Sequence, residues 1–329
     1  MLLGFDIGGT KCAVVLGHVM TAPGGQSAIR VVDKTVLPTN RPVYEQIEWL
    51  FATAEALLAT NSLSKVQLTG IGLSCGGPLN SRAGVVLSPP NLPGWDAVPL
   101  VALAEARFGQ KALLQNDANA CALAEWKFGA GKGFQHLVFL TFGTGLGAGL
   151  ILNGRLYAGA SGLAGEAGHL RLAPLGPVGF GKAGSFEGFC SGGGIAQLAQ
   201  MKVRQRLQMG ERVSFCGSLE ELPLLTAKVV AEAAFRGDGV ARDIYATCGH
   251  YLGQGLALLI DLLNPECIIL GSIYGRAKEL LEPPMRAVLE AEAIGTSYRA
   301  CAIVPAGLGA ALGDMAALSL ATACRDNSY

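Results

Sequence analysis

The chain has 329 residues, half of them apolar, which is enough to form a large core and predicts two domains. Its 25 basic and 25 acidic residues balance, and charged residues make up only 15%, so no strongly charged face indicates nucleic acid or a membrane surface as a partner. The nine cysteines contain no C-x-x-C pair and are odd in number, which favours reduced thiols in a cytoplasmic protein over disulfides or a metal cluster. We expect no signal peptide, because Asp6 interrupts the first apolar run and no basic residues precede it.

The chain opens with two apolar runs around a glycine turn, LLGFDIGGTKCAVVLG, with Gly8, Gly9 and Thr10 in the turn. This pattern predicts an antiparallel meander that continues to a third strand. A helix is expected from Pro42, where apolar residues recur at helical spacing. The elements predicted in the first half are strands at 2–7, 11–15, 29–37, 66–73 and 112–115, and helices that begin at residues 42, 100 and 116.

A second strand–turn–strand motif of the same shape lies in the middle of the chain, LVFLTFGTGLGAGLILNG, with Gly143, Thr144 and Gly145 in its turn. Its glycines and threonines favour a buried strand pair over a membrane span. Such turns leave backbone N–H groups unblocked by side chains, so an anion can approach them closely. Because this strand–turn–strand motif occurs twice, we interpret the chain as two related halves whose turns hold one phosphate chain.

The second half begins with a polar, glycine-rich segment at 158–194, which is irregular enough to indicate a functional role. Beyond it the pattern predicts several helices and one strand, and no repeat of 20–50 residues is visible, which argues against solenoids and propellers. The last helix is rich in small residues, which suits close packing against a sheet. The predicted elements are helices at 195–207, 227–235, 241–263, 275–290 and 307–323, and a strand at 267–270.

Six motifs occur in an order that resembles the ROK family of sugar kinases and sugar-responsive repressors. They are DIGGTK from Asp6, GGPLN from Gly76, PNLPGW from Pro90, NDANACALAE from Asn116, FGTGLGAGLILNG from Phe142 and GEAGH from Gly165. The resemblance implies an α/β protein with the two-domain actin-like ATPase (ribonuclease H-like) fold and an interdomain cleft. It implies an N-terminal domain of residues 1–116 plus 306–329 and a larger C-terminal domain of residues 117–305.

The same resemblance implies an ATP-dependent hexose kinase in which Asp117 is the general base for a sugar hydroxyl, most plausibly that at C6. Spacing alone favours a helix N-cap for the Asn116–Asp117 pair, whereas the family context favours catalysis. His169 either contacts the sugar or is a hydrogen-bonded structural histidine. The implied sugar-contacting residues are Gly77, Asn91, Asn116, Asp117, Glu166, His169 and Glu187. The implied residues for ATP and Mg²⁺ are Asp6, Gly8, Gly9, Thr10, Gly143, Thr144, Gly145, Gly271 and Gly307.

The chain departs from the family pattern after GEAGH, where many members have a C-x-C-G-x-x-G-C segment that binds a structural zinc together with the histidine. Val178, Phe180 and Ser185 stand at the three cysteine positions. One histidine without a thiolate cannot hold zinc tightly, so we predict no structural zinc. We expect this loop to be held instead by packing of Phe180, Phe186 and Phe189.

The sequence is compatible with two functions, that of a kinase and that of a sugar-binding regulator without turnover. Family repressors carry a DNA-binding segment ahead of the DIGGTK motif, and here that motif begins at Asp6, so we expect no nucleic-acid partner. The presence of Asp117 favours the kinase. The family also implies a homodimer and leaves the sugar open among glucose, mannose, fructose, allose, N-acetylglucosamine, N-acetylmannosamine and β-glucosides.

Overall fold

The computed structural model describes residues 1–21 and 27–326, and α-helices and β-strands are mixed along the chain. The strands are β1 (Leu2–Ile7), β2 (Lys11–Thr21), β3 (Ser27–Pro38), β4 (Gly70–Cys75), β5 (Leu79–Asn80), β6 (Val85–Val86), β7 (Ala112–Asn116), β8 (Leu137–Leu140), β9 (Ala148–Leu152), β10 (Arg155–Leu156), β11 (Val178–Gly179), β12 (Lys182–Ala183), β13 (Cys267–Leu270) and β14 (Ala302–Pro305). The helices are α1 (Val43–Thr60), α2 (Leu100–Phe108), α3 (Asp117–Phe128), α4 (Phe186–Phe189), α5 (Gly192–Gln208), α6 (Ala227–Phe235), α7 (Gly239–Leu263), α8 (Ile273–Glu292), α9 (Gly295–Ala300) and α10 (Leu312–Asp326).

Two compact units make up the chain. The first comprises Met1–Gln135, Gly149–Ala164 and Gly307–Tyr329, and the second comprises His136–Ala148 and Gly165–Ala306. The domain division at residues 116 and 305 stays a prediction; the first unit differs from it by including α3, which packs against α10. Among the described residues, every helix is too short or too polar to cross a bilayer.

The first unit contains a five-stranded sheet in the order β3-β2-β1-β4-β7. Strands β1, β2 and β3 form the expected antiparallel meander, whereas β1, β4 and β7 run parallel. The parallel register pairs Asp6 with Ser74 and Ser74 with Gln115. The carboxyl ends of these three strands therefore lie at one edge of the sheet, where ligands bind in open α/β sheets.

The two faces of this sheet are covered differently. On one face, β1 packs on α1 and α2 through the rings of Phe5, Phe51 and Phe108, whose centroids are 5.4 to 6.2 Å apart. On the other face, α10 lies so close to the strands that a Cβ on Gly72 would stand 2.8 Å from the backbone nitrogen of Ala321. The small residues of the last helix thus serve the close packing that the sequence predicts.

Two predicted boundaries in this unit are wrong. The strand expected at 66–73 begins only at Gly70, because 65–67 form a 3₁₀ turn capped by Ser64 and Gln67, with Val66 84% exposed. The last helix begins at Leu312 and not at residue 307, because Gly309 has a φ of 52° and the preceding N–H groups have a partner outside the helix.

The second five-stranded sheet has the order β10-β9-β8-β13-β14, and its β8, β13 and β14 are parallel.

In the second unit, α7 packs against α8 through two glycines one turn apart. A Cβ on Gly249 or Gly253 would lie 2.7 or 2.6 Å from a carbonyl oxygen of α8, that of Leu281 or Met285. The long buried helix predicted at 241–263 is therefore confirmed in position, and its glycines allow the close approach.

Candidate active site

Two acidic residues lie at the carboxyl edge of the parallel strands in the first unit. Asp6 is the penultimate residue of β1, and Asp117 follows directly after β7. In the sheet, β4 lies between β1 and β7, so the axes of these two strands are about 10 Å apart. The negative charge of Asp117 raises the pKa of Asp6, so the fold brings these two positions within electrostatic range of each other.

Asp6 is half-buried, and its carboxyl group is costly to ionise. Burial, followed by the negative charges of Asp117 and Asp314, raises the pKa of Asp6 to about 6, although Lys34 and Lys11 act in the opposite direction. Asp314 belongs to the first turn of α10 and forms an ion pair with Lys34 at 2.6 Å. A Cβ on Gly313 would lie only 2.6 Å from Asp6 Oδ2, so the start of α10 touches this carboxylate.

Helix α3 presents Asp117 at its first position. Asn116 is the N-cap, and its side chain accepts the N–H of Ala118 at 2.9 Å. Asp117 Oδ1 accepts the same N–H at 2.8 Å, and the residue is exposed. The N-cap interpretation is therefore confirmed, and it leaves a carboxylate with an exposed position at the sheet edge. Gly77 lies beside the cap, since a Cβ there would be 3.2 Å from Asn116 Nδ2.

The first glycine turn offers two open backbone donors. The N–H of Gly8 is used within the turn, where it donates to the carbonyl of Lys11 at 3.1 Å. Within residues 1–21 and 27–326, the N–H groups of Gly9 and Thr10 have no hydrogen-bond partner. Asn91 packs against Gly9, where a Cβ would stand 2.7 Å from Asn91 Cβ. The turn and the PNLPGW loop are thus neighbours.

The turn in the second unit repeats this arrangement. The N–H of Gly143 donates to the carbonyl of Gly145 at 3.0 Å, and the N–H of Gly192 in α5 donates to the carbonyl of Gly143 at 2.8 Å. Thr144 and Gly145 keep N–H groups without a partner in the described part of the chain. Helix α5 therefore directs its positive N-terminal end at a turn with two open donors, which favours an anion.

Glu187 joins three of the predicted segments in the second unit. Its Oε2 accepts the N–H of Leu146 at 3.0 Å, next to the glycine turn. Cβ atoms on Gly168 and Gly179 would lie 3.3 and 2.8 Å from Glu187 Cβ. Glu187 thus holds the turn, the GEAGH segment and the β11–β12 hairpin together, and its Oε1 has no partner among the described residues.

The other two predicted sugar residues of this unit lie on the GEAGH segment. Glu166 is exposed, and its carbonyl accepts the N–H of His169 at 3.1 Å. The His169 ring is half-buried and meets the Phe180 ring edge-on, with centroids 5.2 Å apart. Lys182 donates to the carbonyl of His169 at 2.6 Å. The hairpin tip that carries Phe180 therefore shields one side of His169.

Val178, Phe180 and Ser185 stand where many family members have zinc-binding cysteines, and each of them contacts another part of the protein. Ser185 caps α4 by accepting the N–H of Gly188 at 3.1 Å, and the backbone N–H of Val178 donates to Gln197 at 2.8 Å. In residues 1–21 and 27–326, no three histidine, cysteine or acidic side chains are grouped so that they could hold a metal ion. The absence of structural zinc stays a prediction from the ligand chemistry.

The packing expected for this loop is wrong for one of its three aromatic residues. Phe186 and Phe189 are buried, and Phe189 stacks on Tyr251 with centroids 3.4 Å apart. Phe180 is 67% exposed and has a φ of 44°, because it occupies the tight turn between β11 and β12. Its edge-on contact with His169 leaves most of the side chain in solvent.

We therefore expect Phe180→Ala to change the free energy of unfolding by less than about 0.5 kcal/mol, as for most surface substitutions. Phe186→Leu is the matched comparison, and it should cost about 1–2 kcal/mol because the ring is fully buried against α7. Denaturant unfolding of both variants checks this. A larger loss for Phe180→Ala than for Phe186→Leu would restore the original packing interpretation.

The two glycines predicted for the nucleotide lie in different units and use their N–H groups internally. Gly271 donates to the carbonyl of Leu140 at 2.8 Å, and a Cβ there would stand 2.5 Å from the carbonyl oxygen of Thr141. Gly307 belongs to the first unit and donates to Glu125 at 3.1 Å. Both positions require glycine for close packing, and neither N–H is open to a nucleotide.

The sequence interpretation missed Glu125, Lys34 and Asp314. A sequence signal exists only for Glu125, a lone acidic residue in the apolar stretch of the NDANACALAE motif. Lys34 and Asp314 are 280 positions apart in the chain, and only the fold brings them to Asp6.

Comparison with known proteins assigns the chain to a family. It matches the profile described as "ROK family" over residues 2–323. The chain belongs to the ROK family. Its fold is that of the ROK sugar kinases, the actin-like ATPase fold.

Relatives of two kinds are similar to this ROK chain. A glucokinase of Halalkalibacterium halodurans is 33% identical over 89% of this chain and 86% of its own length. A crystal structure of a ROK family glucokinase from Streptomyces griseus, in complex with glucose and AMPPNP, is 29% identical, with a TM-score of 0.74 over 98% of this chain and 99% of that one. The DNA-binding transcriptional repressor Mlc of Escherichia coli is 32% identical over 66% of this chain and 52% of its own length. The glucokinase relatives, which match over most of both chains, support a sugar kinase.

Proposed function

We propose that this protein is an ATP-dependent hexose kinase that transfers the γ-phosphoryl group of MgATP to the C6 hydroxyl of the sugar, with Asp117 as general base. The observation that carries the proposal is the similarity to glucokinases over 89% of the chain. The exposed carboxylate of Asp117 at the edge where β1, β4 and β7 end supports the assignment of the base. A base is needed there because the attacking hydroxyl must lose its proton as the new P–O bond forms.

In the first unit, we assign phosphate contacts to the open N–H groups of Gly9 and Thr10 and the placement of Mg²⁺, through water, to Asp6. Carboxylate oxygen suits this hard cation, which supplies charge neutralisation on the phosphates when it is bound. Gly8 shapes the turn. Asn116 keeps its amide nitrogen as a donor to a sugar hydroxyl, since its oxygen caps α3. Gly77 and Asn91 complete the sugar contacts of this unit.

In the second unit, we assign further phosphate contacts to the N–H groups of Thr144 and Gly145, with Gly143 closing the turn. Glu187 Oε1 and Glu166 accept hydrogen bonds from sugar hydroxyls, because hydrogen bonds to charged groups orient a ligand strongly, and an imidazole nitrogen of His169 accepts another. Gly271 allows the close approach of the chain after β13 to the end of β8, and Gly307 allows that of the segment before α10 to Ala130. Neither contacts the nucleotide through its N–H, because both N–H groups are used within the protein.

A sugar-binding regulator without turnover is the second candidate, and the similarity to the repressor Mlc favours it. The experiment that separates the two is ADP release from MgATP across glucose, mannose, fructose, allose, N-acetylglucosamine, N-acetylmannosamine and a β-glucoside. We expect turnover with at least one sugar and a product phosphorylated at C6, assigned by phosphorus–proton NMR. Binding of a sugar by calorimetry without any ADP release would instead identify a regulator.

A further inference from the structure

A buried carboxylate lies two turns beyond Asp117 in helix α3. Glu125 is fully buried, at 0% exposure. Its Oε2 accepts the N–H groups of Ala130 at 2.8 Å and Gly307 at 3.1 Å, and its Oε1 accepts the N–H of Leu308 at 2.9 Å. One side chain therefore joins the end of α3 to a segment 182 residues later in the chain.

The segment held by Glu125 leads directly to Asp6. Leu308 is followed by a 3₁₀ turn at Gly309–Ala311 and then by α10, whose Gly313 touches the Asp6 carboxylate. At its other end, α3 begins with Asp117. Glu125 thus links the two acidic residues at the sheet edge through α3 and the segment before α10.

The surrounding backbone is shaped to this carboxylate. A Cβ on Gly129 would lie 2.7 Å from Glu125 Cδ, and a Cβ on Gly307 would lie 2.9 Å from the backbone nitrogen of Ala130. A buried ionised group is a poor way to gain stability, because its desolvation offsets most of what its hydrogen bonds contribute. Three charge-assisted bonds to fixed N–H groups do, however, specify one geometry.

We propose that Glu125 is a positioning residue for phosphoryl transfer, one that holds Asp117 and Asp6 at a fixed separation by joining α3 to the start of α10. It acts through the backbone and does not contact substrate. The inference rests on the proposed kinase function, and it assigns to this side chain a role in the chemical step.

The test is steady-state kinetics of Glu125→Gln at a temperature where circular dichroism shows all variants to be folded. A glutamine amide directs N–H groups at a backbone N–H, so at least one of the three bonds is lost. We expect kcat to fall at least ~10-fold while KM for MgATP and for the sugar stay within about 3-fold, since a small misplacement of reacting groups affects the chemical step most.

Trp126→Phe is the matched control. It removes another hydrogen bond of the same helix, that from Trp126 Nε1 to the carbonyl of Phe134 at 2.8 Å, without touching the segment before α10. Its kcat should stay within about 2-fold of wild type even where its thermal midpoint falls. Equal kcat losses in Glu125→Gln and Trp126→Phe would mean that Glu125 serves stability alone.

Gly129→Ala is a second way to disturb the position of the Glu125 carboxylate. The new methyl group pushes the Glu125 carboxylate out of place without removing its charge, so the variant tests position where Glu125→Gln fails to fold. We expect the same loss of kcat. Normal kcat in Gly129→Ala or in folded Glu125→Gln, with an active wild type, overturns the inference alone, whereas a wild type without turnover on any sugar overturns the proposed function.

Discussion

Asp117→Asn is expected to lower kcat at least ~10²-fold and to leave the affinity for the sugar within about 3-fold, because a positioned general base contributes that much to rate. Asparagine has nearly the same shape and can still accept the N–H of Ala118, so helix α3 should begin at the same residue. It cannot accept the proton of the sugar hydroxyl. The measurement is turnover of MgATP with the sugar that the panel identifies, together with the Kd of that sugar by calorimetry.

Asp238→Asn is the control for this experiment. Asp238 is also an acidic residue at the start of a helix, and its Oδ1 accepts the N–H of Ala241 at 2.9 Å. The chemical change is identical, but the residue lies in the second unit, at the beginning of α7, and has no proposed role in the reaction. Its kcat should stay within about 2-fold of wild type. A loss below tenfold in Asp117→Asn would remove Asp117 from the role of base.

The two strand–turn–strand motifs were predictable because their sequence signals are local. Apolar runs of strand length on both sides of a glycine turn specify a hairpin wherever they occur, and both turns formed at Gly8–Thr10 and Gly143–Gly145. The pattern could not show which N–H groups remain open. The first glycine closes each turn with its own N–H, so the available donors belong to the residues after it.

Features that depend on contacts between distant segments were missed. The start of α10 was placed too early because Gly307 and Leu308 donate to Glu125, a partner 182 positions away. Phe180 was expected to pack because aromatic residues usually do, but the tight turn between β11 and β12 directs it outward. The raised pKa of Asp6 has the same origin, since Asp117 and Asp314 approach it only in the folded chain.

Asp6→Asn should stabilise the protein at pH 8 and abolish at least ~99% of its turnover, since the proposed role of Asp6 is to place the Mg²⁺ that neutralises the phosphates. A pKa of about 6 against the ordinary value of 3.8 corresponds to roughly 3 kcal/mol of destabilisation by the ionised group. Asparagine is neutral and should recover about 1–2 kcal/mol of this, which raises the thermal midpoint by ~2 °C for a chain of this size. The measurement is thermal unfolding with EDTA present and nucleotide absent.

The pH dependence of this gain has a definite sign. Because the folded-state pKa lies above the unfolded value, the wild type binds more protons when folded and loses stability as pH rises from about 4 to about 6. The advantage of Asp6→Asn should therefore grow across that window, stay constant above it and vanish below about pH 4. Asp238→Asn should show the opposite sign, because burial raises the pKa of Asp238 but hydrogen bonds from Ser214 and Ala241 outweigh it and hold the pKa below its usual range.

Asp6 lies in β1 just before the glycine turn, and a carboxylate that weakens the folded chain is expected there if, as proposed, function requires its charge. MgATP provides the deciding comparison. Ligand that binds the folded state raises the thermal midpoint in proportion to RT ln(1 + [L]/Kd), so the wild type should gain stability from MgATP and Asp6→Asn should gain much less. If Asp6→Asn is instead less stable than wild type at pH 8 without nucleotide, the carboxylate is a structural group and its proposed role with Mg²⁺ is wrong.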